Sequence, residues 1–350
     1  MGGGKGCTTS SSSSSTLDEQ HEQLQLQHEQ QVHVILKEEQ HPQLQQEQQV
    51  HIIKAHNRRE PPQGAVRVTV QGYEFYLPSH SGTLAPAFFN EGVEGQITDI
   101  FIAYFRSSKK RHLFLDVGMN VGFFSLLAHA CGQRVVAFEP QPLCVELIMR
   151  SVTDQIAVHN AFVGDKEDMA VEVSTTECFS GFSSTQAASK DQNRKIVRSV
   201  KLDDFWESTT SSGAAEPNVV IKIDTEGAEL HVLRSASGLL RSGAVKLMII
   251  ELAPHVWLTD QDSTESGIAV LTEAAAHFQH ITVLYDPTPY YDDGSSAVSR
   301  IGLIHGHPIF RMQNWKEFIS QRLAHRAGTN VVFSQTPLEA LLVAGRQNQR

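Results

Sequence analysis

The sequence predicts an α/β fold: a mostly parallel central sheet with helices on both faces, preceded by a disordered N-terminal tail. Three observations predict it. From Leu113 onward, short apolar runs alternate with helical patterns, as in a parallel sheet covered by helices. The stretch Asp116-Val117-Gly118-Met119-Asn120-Val121-Gly122 joins the first of these runs to a helix through a glycine-rich turn. Before residue 60, apolar side chains are too few to offset chain entropy.

The tail, residues 1–62, is low in complexity. Residues 8–16 are all Ser or Thr, residues 20–49 hold twelve glutamines, and six of the 17 histidines precede residue 57. QLQHEQQVHVI at 25–35 returns as QLQQEQQVHII at 43–53. That interval is five helical turns at about 3.6 residues each, so one helix would show both copies on one face to a protein partner. Pro42 lies between them and opposes a continuous helix, which favours a repeat-expanded tail. No apolar stretch marks a secretory signal. Gly2 and Cys7 invite acylation, but Gly6 stands where a myristoylation motif wants Ser or Thr. Residues 1–16 are Ser-rich and acid-poor like a transit peptide, yet Lys5 is their only base. Cytoplasmic localisation is the expectation.

Residues 63–112 read as a leading hairpin and helix. Val66, Val68 and Val70 alternate with polar residues, Gln71-Gly72 turns the chain, and Tyr73, Phe75 and Leu77 alternate again. Ile97 to Tyr104 is helical in pattern. The remaining domain, 113–345, opens with a strand over 113–115.

Charge and cysteine content exclude several classes. A net charge of −10 argues against a partner with a phosphate backbone, so no nucleic acid is expected. Four cysteines without a CxxC pair argue against a disulfide framework or structural zinc, and for a reducing compartment. The most apolar stretch, Leu113 to Ala128, is interrupted by Asp116 and Asn120, so no membrane span is expected.

Residues 113–140 carry the cofactor argument. Strand, glycine turn and helix expose backbone N–H groups at a helix N-terminus to a ligand. Gly118 and Gly122 permit the turn and a close approach. The next strand, Arg134 to Phe138, ends at Glu139-Pro140, and an acid there can accept hydrogen bonds from ribose hydroxyls. A dinucleotide site wants GxGxxG, whereas this loop reads GxNxG, with Asn120 at the middle position. Asp116 adds negative charge where a pyrophosphate would sit, and suits a cationic ligand such as S-adenosylmethionine. Asn160, after a third strand at 156–160, is placed to meet the adenine. The plain structural alternative makes Asp116 a turn cap and Glu139 a solvated strand end.

A fourth strand, Val219 to Asp224, runs into Lys222-Ile223-Asp224-Thr225-Glu226-Gly227-Ala228-Glu229. Lys222 and Asp224 share a face, and ionisable groups there are costly unless paired or used. The helix-capping alternative has Asp224 or Thr225 start a helix over 226–240. A fifth strand, Val245 to Ile250, ends in Glu251-Leu252, close enough in topology for Asp224 and Glu251 to share a cation or a substrate hydroxyl. His255 is a further candidate base.

In this order, DVGMNVGFFS, AFEP, VKLDDF at 200–205, IKIDTEGAELHVLRSA and IIEL at 249–252 resemble the FkbM-family methyltransferases over about residues 113–285. The resemblance implies a class I Rossmann-like methyltransferase using S-adenosyl-L-methionine, acting on hydroxyls of sugars, glycans or natural-product-like small molecules. It implies that Asp116, Gly118, Asn120 and Gly122 line the methionine end and that Glu139, with Pro140, holds the ribose. Asp224 to Glu226 would face the catalytic pocket, with Asp224 or Glu226 as base and Lys222 beside them. Met119 stands where the family often has Ala. An NAD-dependent oxidoreductase and a non-catalytic nucleoside-binding scaffold are the alternatives.

The C-terminal third is less informative. Ser266 to Phe278 reads as helix, Ile281 to Tyr285 and Asn330 to Phe333 as strands, and Trp315 and Phe318 as core on a helix. His305-Gly306-His307 lacks a nearby acid or cysteine, so no metal is expected. Acceptor choice is expected to reside in this region, in the 180–195 loop and in residues 66–110.

Overall fold

The computed structural model describes residues 65–78, 92–108, 110–151, 156–175, 194–210, 217–257, 263–284, 296–304 and 306–347. The tail with its repeat and targeting motifs, and residues 180–193 of the 180–195 loop, lie outside the described residues. Strands β1 (Ala65–Val70) and β2 (Tyr73–Pro78) form the expected hairpin, turning on Gln71 (φ 48°) and Gly72 (φ 86°). Two successive left-handed residues match the twist of the flanking strands. Helix α1 (Gly92–Ser107) begins earlier than its apolar spacing predicts. Its first turns carry buried polar residues, Gln96 and Thr98, which a count of apolar positions overlooks.

Next come β3 (Leu113–Val117), α2 (Phe123–Ala130), β4 (Arg134–Phe138), α3 (Pro142–Ser151) and β5 (Ile156–His159). Strands β6 (Phe162–Val163), β7 (Ala170–Ser174) and β8 (Arg194–Val200) form a separate sheet in the order β6-β8-β7. Its core is Phe162, Val171, Val173, Val197 and Ala228. Helix α4 (Leu202–Thr210) leads to β9 (Val219–Ile223), followed by α5 (Glu229–Ser235) and α6 (Ser237–Arg241). The single helix expected over 226–240 is thus two short ones with a later start. Glu226 (φ 51°) and Gly227 (φ 115°) are left-handed and cannot be helical, and Ala236 (φ −106°) separates α5 from α6. Neither Asp224 nor Thr225 caps α5; Ala228 occupies that position without a side-chain bond.

The chain continues through β10 (Val245–Leu252), α7 (Pro254–Trp257), α8 (Thr264–Ala275), β11 (His280–Val283), β12 (Val298–Ile304), β13 (His307–Met312), α9 (Trp315–His325), β14 (Thr329–Ser334) and α10 (Leu338–Gln347). The large sheet has nine strands in the order β12-β13-β11-β14-β10-β9-β3-β4-β5. From β5 to β10 every pairing is parallel, as expected. Beyond β10 the pairings are antiparallel, because β14 inserts between β10 and β11 and a hairpin extends the edge. Strands β3 and β9 are buried on both faces, which explains their almost uninterrupted apolar sequence.

Trp315 and Phe318 both lie on α9; Phe318 is fully buried and Trp315 stacks on Phe333. Gly306 (φ 78°) turns the β12–β13 hairpin. Among the described residues no group of three or more His, Cys, Asp or Glu could hold a metal, and no helix is long and apolar enough to cross a membrane. Cys131 is free.

Aromatic packing fastens α1 to the parallel half of the sheet. Phe101 meets Phe114 edge-on at 5.2 Å and Phe124 at 5.6 Å, and is 1% exposed. Replacing Phe101 with Ala is expected to cost about 3–5 kcal/mol, read from the urea midpoint. A cost below about 1 kcal/mol would show that α1 is not part of this core.

Candidate active site

The parallel strands β4, β3, β9 and β10 end at the same edge of the sheet, where the loop after β3 meets the loop after β9. Asp224 N–H donates to Val117 O at 2.9 Å. A Cβ added at Gly118 (φ 79°) would lie 1.8 Å from Asp224 O, and one at Gly122 (φ 83°) 1.9 Å from Ile148 Cδ1. Only glycine allows these approaches in left-handed backbone. Asn120 is also left-handed (φ 54°), a conformation that Asn tolerates better than most residues.

The loop uses its own donors. Gly118 and Met119 N–H donate to Phe138 O at 2.9 and 3.2 Å, and Gly122 N–H to Met119 O at 2.9 Å. Asn120 N–H donates to Glu139 Oε2 at 2.8 Å, and Val121 N–H to Asn120 Oδ1 at 2.7 Å. Behind the loop, Asp116 is 1% exposed and accepts a 2.6 Å bond from Ser125 Oγ together with the Ser125 backbone N–H. The protein's own carboxylate therefore takes donors at the start of α2. All five loop amides from 118 to 122 already have acceptors.

Glu139 is buried at the tip of β4. Its Oε2 holds Asn120 N–H and its Oε1 holds Gln141 N–H, each at 2.8 Å. A carboxylate has about four acceptor positions, so two bonds leave capacity for hydroxyl donors. Asn160 donates through Nδ2 to the carbonyls of Glu139 and Pro140, at 3.0 and 2.9 Å. Its amide donors thus hold the strand end in place, a role that sequence position alone did not suggest.

Across the gap, Lys222 sits beside Asp116 in the β3–β9 register. Its Nζ donates to Asp224 Oδ2 at 2.7 Å and lies 4.9 Å from the centre of the Phe124 ring. Burial disfavours this ammonium, but Asp224, Asp116 and Glu94 more than offset it and hold its pKa above the ordinary lysine value. Glu226 is an accessible residue in left-handed backbone whose carboxyl is still partly desolvated by the site. Its pKa is raised by burial and by Asp224, with Lys222 opposing.

Three carboxylates escaped attention as site residues or stood at its margin. Glu94, on α1, is pushed up to about 7 by burial, with Lys222 opposing and Asp224 and Asp116 adding to the rise. Glu251 lies within β10 and is raised well above the carboxylate range, first by Asp224 and then by burial. Glu229 is fully buried; it accepts from Gly227 N–H at 2.6 Å and from Trp257 Nε1 at 2.7 Å. It joins the left-handed turn at 226–227 to α7, which carries His255. Burial of His255 and Arg326 nearby lower its pKa. The Asp-x-Glu-Gly-x-Glu spacing contained Glu229, but nothing in it distinguished a buried acid from a solvated one.

A family model described as the methyltransferase FkbM domain matches residues 116–276. No curated protein matches the chain. Among solved structures, the chain is similar to a SAM-dependent methyltransferase from Agrobacterium tumefaciens, at 10% identity and TM-score 0.38, covering 78% of this chain and 71% of that one. It is also similar to a precorrin-6y C5,15-methyltransferase from Geobacter metallireducens, at 9% identity and TM-score 0.30, covering 69% and 88%.

The buried acids give the fold a signed pH dependence. Glu94, Glu139 and Glu229 are each raised by burial from 4.5 to about 7. A carboxylate raised in the folded state adds stability below its unfolded value, and that contribution is lost as the pH climbs through the folded value. The thermal midpoint of the ligand-free protein is expected to fall between pH 4.5 and about 7. A steady rise over that interval, followed by circular dichroism, would contradict the burial of these groups as acids.

Proposed function

We propose that this methyltransferase, whose residues 116–276 are an FkbM methyltransferase domain, moves the methyl group of S-adenosylmethionine to a hydroxyl of a sugar, glycan or natural-product-like small molecule. One observation carries the donor assignment. Asp224 is bonded to the Lys222 ammonium, Asp116 lies beside it in register, and Glu94, Glu226 and Glu251 interact with it electrostatically. Such a cleft favours a ligand bearing positive charge. A pyrophosphate would need free amides at the glycine loop, and those from 118 to 122 are already engaged. That weighs against the NAD alternative.

The residues present fit the donor. Asp116 keeps a buried oxygen, Oδ1, without a hydrogen-bond partner, suited to a cationic group. Glu139 retains acceptor capacity for ribose hydroxyls, and Asn160 keeps that strand end rigid. When bound, the donor supplies a methyl group already activated by positive sulfur. The chain's task is to align an acceptor oxygen and remove its proton. Glu226 suits the base, being accessible and raised in pKa. Asp224 has one oxygen bound to Lys222 and is the orienting partner. The acceptor class itself rests on the family resemblance.

Titration calorimetry with S-adenosylhomocysteine and with NADH separates the two donors; heat with NADH alone would refute the assignment. Glu226→Gln is expected to lower kcat by about 10²–10⁴-fold while S-adenosylhomocysteine binds as before. An unchanged kcat would move the base to Asp224 or His255. For the acceptor, radiolabelled donor is offered to cell-extract fractions split into glycan, lipid, small-molecule and protein pools. Label confined to protein would overturn the small-hydroxyl proposal.

A further inference from the structure

We propose that Glu94, on the leading helix and outside the matched domain, is a donor-binding residue whose carboxylate faces the positive sulfur of the methyl donor. The inference rests on the donor assigned above and extends the site to a segment that sequence reading linked only to the acceptor.

Helix geometry brings Glu94 there. Glu94 and Phe101 are two turns apart, so they share one face of α1. Phe101 packs edge-on against Phe124 at 5.6 Å, and the Phe124 ring lies 4.9 Å from Lys222 Nζ. The face that anchors α1 therefore also carries Glu94 to the ends of β3, β9 and β10. Its charge interacts with Lys222, Asp224 and Asp116, and with Glu251.

Glu94 has a task left open. Its Oε2 is buried and has no hydrogen-bond partner. An unsatisfied buried carboxylate oxygen is costly, and a native fold that keeps one commonly completes it with a ligand. Lys222 donates to Asp224 Oδ2 at 2.7 Å and makes no hydrogen bond to Glu94 Oε2. Asp116 and Asp224 are acids beside Glu94 and Glu251 is raised to about 9, so an anionic occupant is disfavoured, whereas a cation favours the ionised form of these carboxyls. A metal ion is a poor candidate, because no set of three ligating side chains is present among the described residues. An organic cation supplies that charge and meets the open oxygen together.

S-adenosylmethionine and S-adenosylhomocysteine differ by one methyl group and one positive charge, so they probe this contact directly. Calorimetry on the full chain measures Kd for both, for the wild type and for Glu94→Gln. The expected result is a loss of at least about tenfold for S-adenosylmethionine and a clearly smaller loss for S-adenosylhomocysteine. The ligand-free thermal midpoint of Glu94→Gln should be unchanged or higher, since an unsatisfied charge among like charges is removed. Glu94→Asp, whose carboxylate sits one carbon further back, should show the same selective loss in smaller measure, and serves if the Gln variant does not fold. Equal losses for both ligands, or none, would overturn the role of Glu94. A wild type that binds neither ligand would instead overturn the donor assignment beneath it.

Discussion

A buried ammonium organises the carboxyl edge of this sheet. Lys222 lies in a strand with no exposed residue, next to Asp116 in register and bonded to Asp224 at 2.7 Å. Removing an ammonium from water is expensive, and only close opposite charge makes it tolerable. Burial raises Glu94, and Asp224 together with burial raises Glu251, while the lysine stays charged. The resting site stores electrostatic repulsion that a positive ligand relieves. Sites of this kind sacrifice stability for function.

Two loops must approach closely for that edge to exist. Gly118 lies against the carbonyl of Asp224, with no room for a side chain. Asp224 N–H in turn bonds to Val117, so the two loops are fastened across the strand ends. Glu229 completes the second loop from below, holding Gly227 and Trp257 with one carboxylate. A change in one loop therefore reaches the other through backbone contacts and bonds.

The outer half of the sheet is built differently. Strands β11 to β14 pair antiparallel beyond β10, with α8 between β10 and β11 in the chain and α9 between β13 and β14. The leading helix α1 packs Phe101 and Phe105 against Phe114 of β3. Segments outside the 116–276 match thus complete the sheet and its core.

Much of this was legible in the sequence. The alternation of short apolar runs with helical patterns located β3, β4, β5, β9 and β10, because strands buried on both faces must be apolar. The glycine turn and the acids at strand ends were visible too, since left-handed turns and chemistry at a sheet edge demand particular residue types. Sequence could not show where polar groups point. It did not reveal that the loop amides serve the loop itself, that Glu229 is buried, or that Asn160 binds the backbone of its neighbours. It did not bring Glu94 within electrostatic reach of Lys222, because the two lie more than a hundred residues apart and meet only through the packing of α1 on β3 and α2. The residue types of the site follow from local chemistry, readable along the chain. Their partners are set by the packing of distant elements, and only the tertiary structure decides those.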